Sequence, residues 1–206
     1  MDQPVFLHVG CGHLHQDRTP FANNKWREIR LDIDQSVQPD VVGTMTDMSA
    51  VPSGSVDAVF SSHNIEHLYP HEVPIALAEF NRVLKSDGFV LITCPDLQSV
   101  CALVANDLLT EPAYHSSMGP IAPLDILYGL RRSLNSGNLY MAHRSGFTKK
   151  VMASTLLQSG FLAGVRSIPD VFQLWAIGLK AESSADKSNI KNKIQDLMDK
   201  YFPLDR

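Results

Sequence analysis

Val5-Phe6-Leu7-His8-Val9-Gly10-Cys11-Gly12 decides how the rest of the chain reads. An apolar run this short, closed by glycine, reads as a buried strand of a parallel sheet rather than a half-exposed one. Glycine at the carboxyl end of such a strand lets backbone come close to a ligand. The carboxyl ends of parallel strands are also where α/β sheets bind ligands. Further on, Ile29-Arg30-Leu31-Asp32-Ile33-Asp34 reads as the end of a second strand. A carboxylate there is placed to take both hydroxyls of a ribose. The plain alternative is a tight turn followed by a solvated acid.

The 206 residues suffice for one domain with a proper core and an appended piece. Its 44% hydrophobic and 19% charged residues are ordinary for a globular chain, and the net charge of −4 argues against a nucleic-acid partner. The three cysteines, Cys11, Cys94 and Cys101, cannot all pair, and none lies in a Cys-x-x-Cys pattern. Buried free thiols in a reducing compartment are expected, and no metal ligands are assigned. The first strand starts by residue 5 and no apolar run reaches membrane-spanning length, so a cytoplasmic protein with no membrane partner is expected.

Between Gly12 and the second strand, residues 13–27 should form a first helix, but Pro20 and Asn23-Asn24 interrupt it. Leu14, Phe21 and Trp26 keep no helical period. A loop or one short turn is predicted. Asp40-Val41-Val42-Gly43 reads as a third strand and Val56-Asp57-Ala58-Val59-Phe60 as a fourth. A helix over 71–85 follows from Val73, Leu77, Phe80 and Leu84, with Pro74 in its first turn and Asp87-Gly88 ending it. Phe89–Cys94 is a fifth strand, and Leu97, Val100, Cys101, Val104 and Leu108 mark one face of the next helix. Residues 110–145 break the rhythm with prolines and glycines around a helix at 123–134. Thr148 caps a helix to Gln158, and Phe161–Ile168 with Val171–Leu179 form a terminal hairpin. Ile190, Ile194, Leu197, Met198 and Tyr201 form a helical stripe near the end. It should pack on this subunit or on a twin, which makes a homodimer through the C-terminal helix an expectation. The fold class is therefore α/β, Rossmann-like and doubly wound. Its sheet should be seven-stranded and mostly parallel, with an antiparallel hairpin and a short or missing first helix. The boundaries are 1–182 for the main domain, with 110–145 as a cover over the substrate, and 183–206 for the C-terminal amphipathic helix.

The glycine loop discriminates between cofactors. A dinucleotide site needs Gly-x-Gly-x-x-Gly opening a helix, on whose N-terminus the pyrophosphate rests. Here His15 stands at the third glycine, and the helix is doubtful. The phosphate-loop nucleoside triphosphatase signature Gly-x-x-x-x-Gly-Lys-Ser/Thr is absent. S-adenosylmethionine carries a ribose but no phosphate, so close backbone approach and a ribose acid suffice for it.

Several segments, in order, resemble the class I S-adenosylmethionine-dependent methyltransferases, and most of all the small bacterial "type 11" group. They are Leu7–Gly12, Leu31–Asp34, Asp40–Gly43, Thr46-Asp47-Met48, Ser55–His67, Arg82–Gly88 and Leu156–Phe161. The resemblance implies roles by position. Gly10 and Gly12 would admit the methionine part of the cofactor and Asp32 would bind the ribose. Asp47 and the Met48 backbone would hold the adenine edge, and Ser62 and His63 would border the methyl group. Glu66 and His67 would anchor the start of the next helix. The family's third glycine is Leu14 here, and Ser86-Asp87 replaces a Pro-Gly turn.

Methyl transfer from a sulfonium is an in-line displacement, so alignment and exclusion of water dominate. A base is needed only for a hydroxyl or protonated amine. His63, His143 and Tyr140 are the candidates, with His115 behind them. Tyr114, Tyr128, Arg131, Arg132, Tyr140 and Arg144 point to a small acceptor with polar or anionic groups, although Arg131-Arg132 also fits a solvated helix face. The rival readings are a non-catalytic cofactor-binding or interaction module of the same fold and, third, a nicotinamide oxidoreductase.

Overall fold

The computed structural model describes residues 3–116, 118–180 and 187–202. Seven strands make one sheet: β1 (Val5–Val9), β2 (Arg27–Asp32), β3 (Val41–Val42), β4 (Val56–Ser62), β5 (Leu84–Pro95), β8 (Phe161–Ile168) and β9 (Gln173–Lys180). Their order is β3-β2-β1-β4-β5-β9-β8. The first five are parallel, and β9 runs antiparallel to both β5 and β8. The fold class expected from the sequence is the one observed. The strand order reverses between β1 and β4, so the carboxyl ends of β1, β2 and β4 meet at the topological switch point where such sheets bind ligands.

Alternation along the strands gives the sheet two cores. Val5, Leu7 and Val9 of β1 join the first, beside α1 (Val73–Val83) and α5 (Lys149–Gln158). Val73, Ala76, Leu77, Phe80 and Val83 form the buried stripe of α1, whose proline lies in the first turn. This helix ends at Val83 rather than at Asp87-Gly88, because Leu84 is already extended and pairs with Val56. The ladder then shifts register before Ala58 meets Phe89. Lys85, between these two pairings, reaches Asp57 at 2.7 Å, and the other oxygen of Asp57 accepts the Val5 N–H.

The opposite face would ordinarily be covered by a helix after β1. Here that connection holds only a short turn, Gln16–Arg18, as expected. Its place is taken by aromatic packing. Phe21 is fully buried, stacks on Phe6 with ring centroids 4.4 Å apart, and meets Trp26 edge-on at 4.9 Å. Gln16 fixes the loop by donating from its side-chain amide to the carbonyls of Phe21, Asn23 and Trp26. The C-terminal helix α6 (Lys187–Tyr201) completes this face. Ile190, Ile194, Leu197 and Met198 pack against it, and the Tyr201 ring lies 5.0 Å from Phe21. The stripe expected to face this subunit or a twin is thus engaged on the chain's own sheet. The boundary drawn at 182/183 lies outside the described residues.

Residues 106–148 carry the small hairpin β6 (Tyr114–Ser116) and β7 (Gly119–Ile121), then α3 (Pro123–Tyr128) and α4 (Arg131–Asn135). The single helix expected at 123–134 is two. Gly129 breaks it at φ +100°, and a Cβ there would lie 2.0 Å from the Met141 carbonyl oxygen. The second helix of the main domain, α2 (Leu97–Ala105), buries only Val100 of its apolar stripe. Cys101 is therefore exposed, contrary to the expectation of three buried thiols, while Cys11 and Cys94 are buried.

Candidate active site

The carboxyl end of β1 is bound to the chain's own groups before any ligand arrives. Gly10 adopts φ +64°, and a Cβ there would lie 2.1 Å from the Asn64 amide nitrogen. Asn64 donates to the Val9 carbonyl at 3.1 Å, so Gly10 lets the residues after β4 close onto β1. Gly12 is different. It also has positive φ (+50°), but nothing lies within 4 Å of where its Cβ would be, so its face is open for close approach.

Two alternate residues of β2 hold Gly12. Asp32 accepts the Gly12 N–H at 2.8 Å, and Arg30 donates to the Gly12 carbonyl at 2.5 Å. Asp32 is buried, and its second oxygen accepts the Asp34 N–H at 2.9 Å. Each oxygen keeps a further lone pair, as ribose hydroxyls would need. Burial raises the Cys11 thiol to about 11, with Arg30 opposing, and burial also pushes Cys94 well up. Neither thiol is a nucleophile at neutral pH.

At the expected adenine edge, the Met48 backbone already has partners within the chain. The Met48 N–H is given to Glu79 at 2.8 Å and its carbonyl accepts from Arg82 at 2.8 Å. That removes the Met48 N–H from any ligand. Asp47 is exposed, turns one oxygen to the Ser49 N–H, and lines an open groove with Thr46, Glu79 and Arg82.

At the end of β4, Ser62 shares a hydrogen bond with Thr93 at 2.8 Å, and the next residue, His63, sits in the left-handed region at φ +48°. The His63 Nδ1 is 3.5 Å from the Glu66 carboxylate, an ion-pair rather than a hydrogen-bond distance. Glu66 is 1% exposed, and neither of its carboxylate oxygens has a hydrogen-bond partner among the described residues. His67 and His143 converge on it, and one donor atom from each of the three lies within 4.8 Å of the others. Burial raises the Glu66 carboxyl, but His63, His67 and His143 outweigh this and hold it below the usual range. Burial pushes the His143 imidazole below its ordinary value, with Glu66 opposing.

Residues 142–145 strap this cluster to the hairpin-and-helix segment that precedes them. Arg144 and Ser145 donate their N–H groups to the Glu66 carbonyl at 2.8 and 3.1 Å. The Arg144 guanidinium reaches the His67 carbonyl and lies 4.9 Å over the Tyr69 ring. His63 and His143 are thus brought together around Glu66. Tyr140 is 61% exposed and His115 is exposed on β6, so neither joins them. Arg131 forms a two-pronged pair with Asp125, at 2.8 and 3.0 Å, and Arg132 turns to the Pro120 carbonyl. Sequence reasoning gave no site role to Arg30 or Asn64 and left Glu66 and His67 as helix anchors. Asn64-Ile65-Glu66-His67 stood inside a matched motif, which was the available signal.

A family model described as a methyltransferase domain matches residues 7–92. No curated protein matches the chain. Among solved structures, the chain is similar to a Burkholderia thailandensis 1,6-didemethyltoxoflavin-N1-methyltransferase with bound S-adenosylhomocysteine. That similarity has 15% identity and a TM-score of 0.56, over 87% of this chain and 72% of that one. It is also similar to a putative methyltransferase from Haloferax volcanii in complex with the Trm112 activator (13% identity, TM-score 0.59, 88% and 84% covered). An Aquifex aeolicus SAM-dependent methyltransferase is comparable at 13% identity and TM-score 0.53, with 87% and 84% covered. The match over residues 7–92 and the strand order of the whole sheet point the same way: the chain is similar to methyltransferase domains in sequence over that stretch and shares their fold.

Proposed function

We propose that the protein is an S-adenosylmethionine-dependent methyltransferase acting on a small polar acceptor. The observation that carries this reading is Gly12, held open-faced by Asp32 at the point where the strand order reverses. The connection that follows has only a short turn, so no helix N-terminus is present there for a pyrophosphate. That favours a cofactor with a ribose and no phosphate. Gly10, Gly12 and Asp32 set the cofactor site, and Ser62 and His63 border the methyl group. The Met48 backbone leaves this set because Glu79 and Arg82 use it, while Asp47 can still offer a carboxylate.

The acceptor side belongs to residues 110–145, which dock on the turn after β4 through Arg144 and Ser145. Of the candidate bases, His63 and His143 stand at this junction. Tyr140 would reach an acceptor only from its exposed position on the cover. Alignment, not acid–base chemistry, supplies most of the rate in a displacement from a sulfonium. The experiment is a screen of small polar acceptors with methyl-labelled donor. Label should appear in an acceptor bearing a hydroxyl or amine. A protein that binds the donor yet labels no acceptor across the screen would instead be the non-catalytic module.

A further inference from the structure

Glu66, His67 and His143 are not among the residues assigned to the cofactor, although His63 lies 3.5 Å from Glu66, and the fold brings the three together from distant parts of the chain. His67 follows Glu66 in the turn after β4, whereas His143 comes from the end of the cover segment. The buried Glu66 carboxylate is the anomaly. A buried polar group without a hydrogen bond costs free energy, and a buried charge costs more unless it is paired or bound to metal.

The two imidazoles are already oriented. His67 Nδ1 lies 3.1 Å from the Ala142 carbonyl and His143 Nδ1 lies 2.8 Å from the Ile126 carbonyl. A carbonyl only accepts, so each Nδ1 carries a proton and Nε2 is the ring nitrogen left to coordinate. Metal-binding histidines are fixed in this way, with one ring nitrogen tied to a carbonyl so that the other can coordinate. The rings face each other at 5.0 Å between centroids, tilted by 60°. The strap bonds from Arg144 and Ser145 to the Glu66 carbonyl hold both halves in place.

From this geometry we propose that Glu66, His67 and His143 form a binding site for one divalent first-row transition-metal ion of the zinc type. Two imidazole nitrogens and one carboxylate oxygen are the donor set such ions take. Three protein ligands leave a tetrahedral ion one position for water or another oxygen ligand. The ion supplies the direct partner that the Glu66 oxygens lack and ties residues 142–145 to the turn after β4. The site does not depend on the methyl-transfer reading.

The test is a titration of the chelator-stripped full chain with Co²⁺ and then Zn²⁺. It follows the d–d absorption of bound Co²⁺, its displacement by Zn²⁺, and the melting temperature. One equivalent should bind, with absorption typical of four- or five-coordinate Co²⁺, and Zn²⁺ should raise the melting temperature. Glu66→Gln, His67→Ala and His143→Ala should each weaken binding by about 100-fold or more, while His15→Ala, a change at an exposed histidine, leaves it unchanged. Glu66→Gln retains the side-chain volume. If it nevertheless fails to fold, the two histidine variants decide the matter. Absence of stoichiometric binding to the wild-type chain would overturn the proposal. So would binding that the histidine variants retain.

Discussion

Asp32 accepts the Gly12 N–H at 2.8 Å, so the residue we propose as the ribose acid also holds the glycine turn over which a cofactor would lie. Two jobs on one carboxylate change what its removal should do. Asp32→Ala should weaken S-adenosylhomocysteine binding by roughly 30- to 1000-fold, equivalent to about 2–4 kcal/mol. It should also cost about 1–3 kcal/mol of folding stability, because the Gly12 and Asp34 N–H groups lose their acceptor. Asp32→Asn keeps one acceptor oxygen and separates the two effects. Denaturant melts alongside calorimetry measure both. Wild-type affinity in Asp32→Asn would move the ribose contact elsewhere, with Asp34 the first suspect.

The aromatic packing that replaces the first helix makes Phe21 a core residue despite its place in a loop. Phe21→Ala should destabilise by about 3–5 kcal/mol, the usual cost of emptying a buried aromatic site. Ending the chain at residue 180 removes α6 from the same face and should lower the melting temperature and increase binding of a hydrophobic dye. An unchanged melt in either variant would show that this face does not carry the stability assigned to it.

Asp125 provides a pH-dependent term. Its side-chain hydrogen bonds with Arg131, opposed by burial, hold its carboxyl down to about 2, below the ordinary 3.8. A depressed carboxylate stabilises the fold fully above its unfolded value and loses that contribution as pH falls through its folded one. Arg131 is half exposed, so solvent screening reduces the effect to on the order of 1–2 kcal/mol. Melts of Arg131→Ala and wild type should differ at pH 7 and converge as the pH approaches 2. A constant difference across that range would contradict this.

The cover and the cofactor turn should be separable in kinetics. Tyr140→Phe should lower turnover with a labelled acceptor while leaving cofactor affinity within about twofold, under roughly 0.5 kcal/mol. Affinity lost on the scale of Asp32→Ala would assign Tyr140 to the cofactor site instead.

The sheet was legible because its signals are local. An apolar run closed by glycine marked β1, the apolar run after Asp87-Gly88 marked β5, Pro74 and the α1 stripe marked their helix, and Thr148 marked the start of α5. The missing first helix was legible too, from Pro20 and the lost period of Leu14, Phe21 and Trp26. What covers that face was not, because Phe21 and Trp26 reach it from a loop and α6 arrives from the far end of the chain. The engagement of the Met48 N–H was not legible for a different reason. A backbone N–H looks available in any sequence until a distant side chain, here Glu79, is seen to take it. Glu66, His67 and His143 have no spacing that marks them as a set. Only the strap through Arg144 and Ser145 brings the third member to the other two.

The most direct test of the account is calorimetric titration of the purified full chain with S-adenosylhomocysteine and, separately, with NADH. A ribose acid and an open glycine turn without a pyrophosphate-binding helix predict saturable one-site binding of S-adenosylhomocysteine and negligible binding of NADH. Equal or tighter binding of NADH, or a folded protein that takes up no S-adenosylhomocysteine, would contradict it.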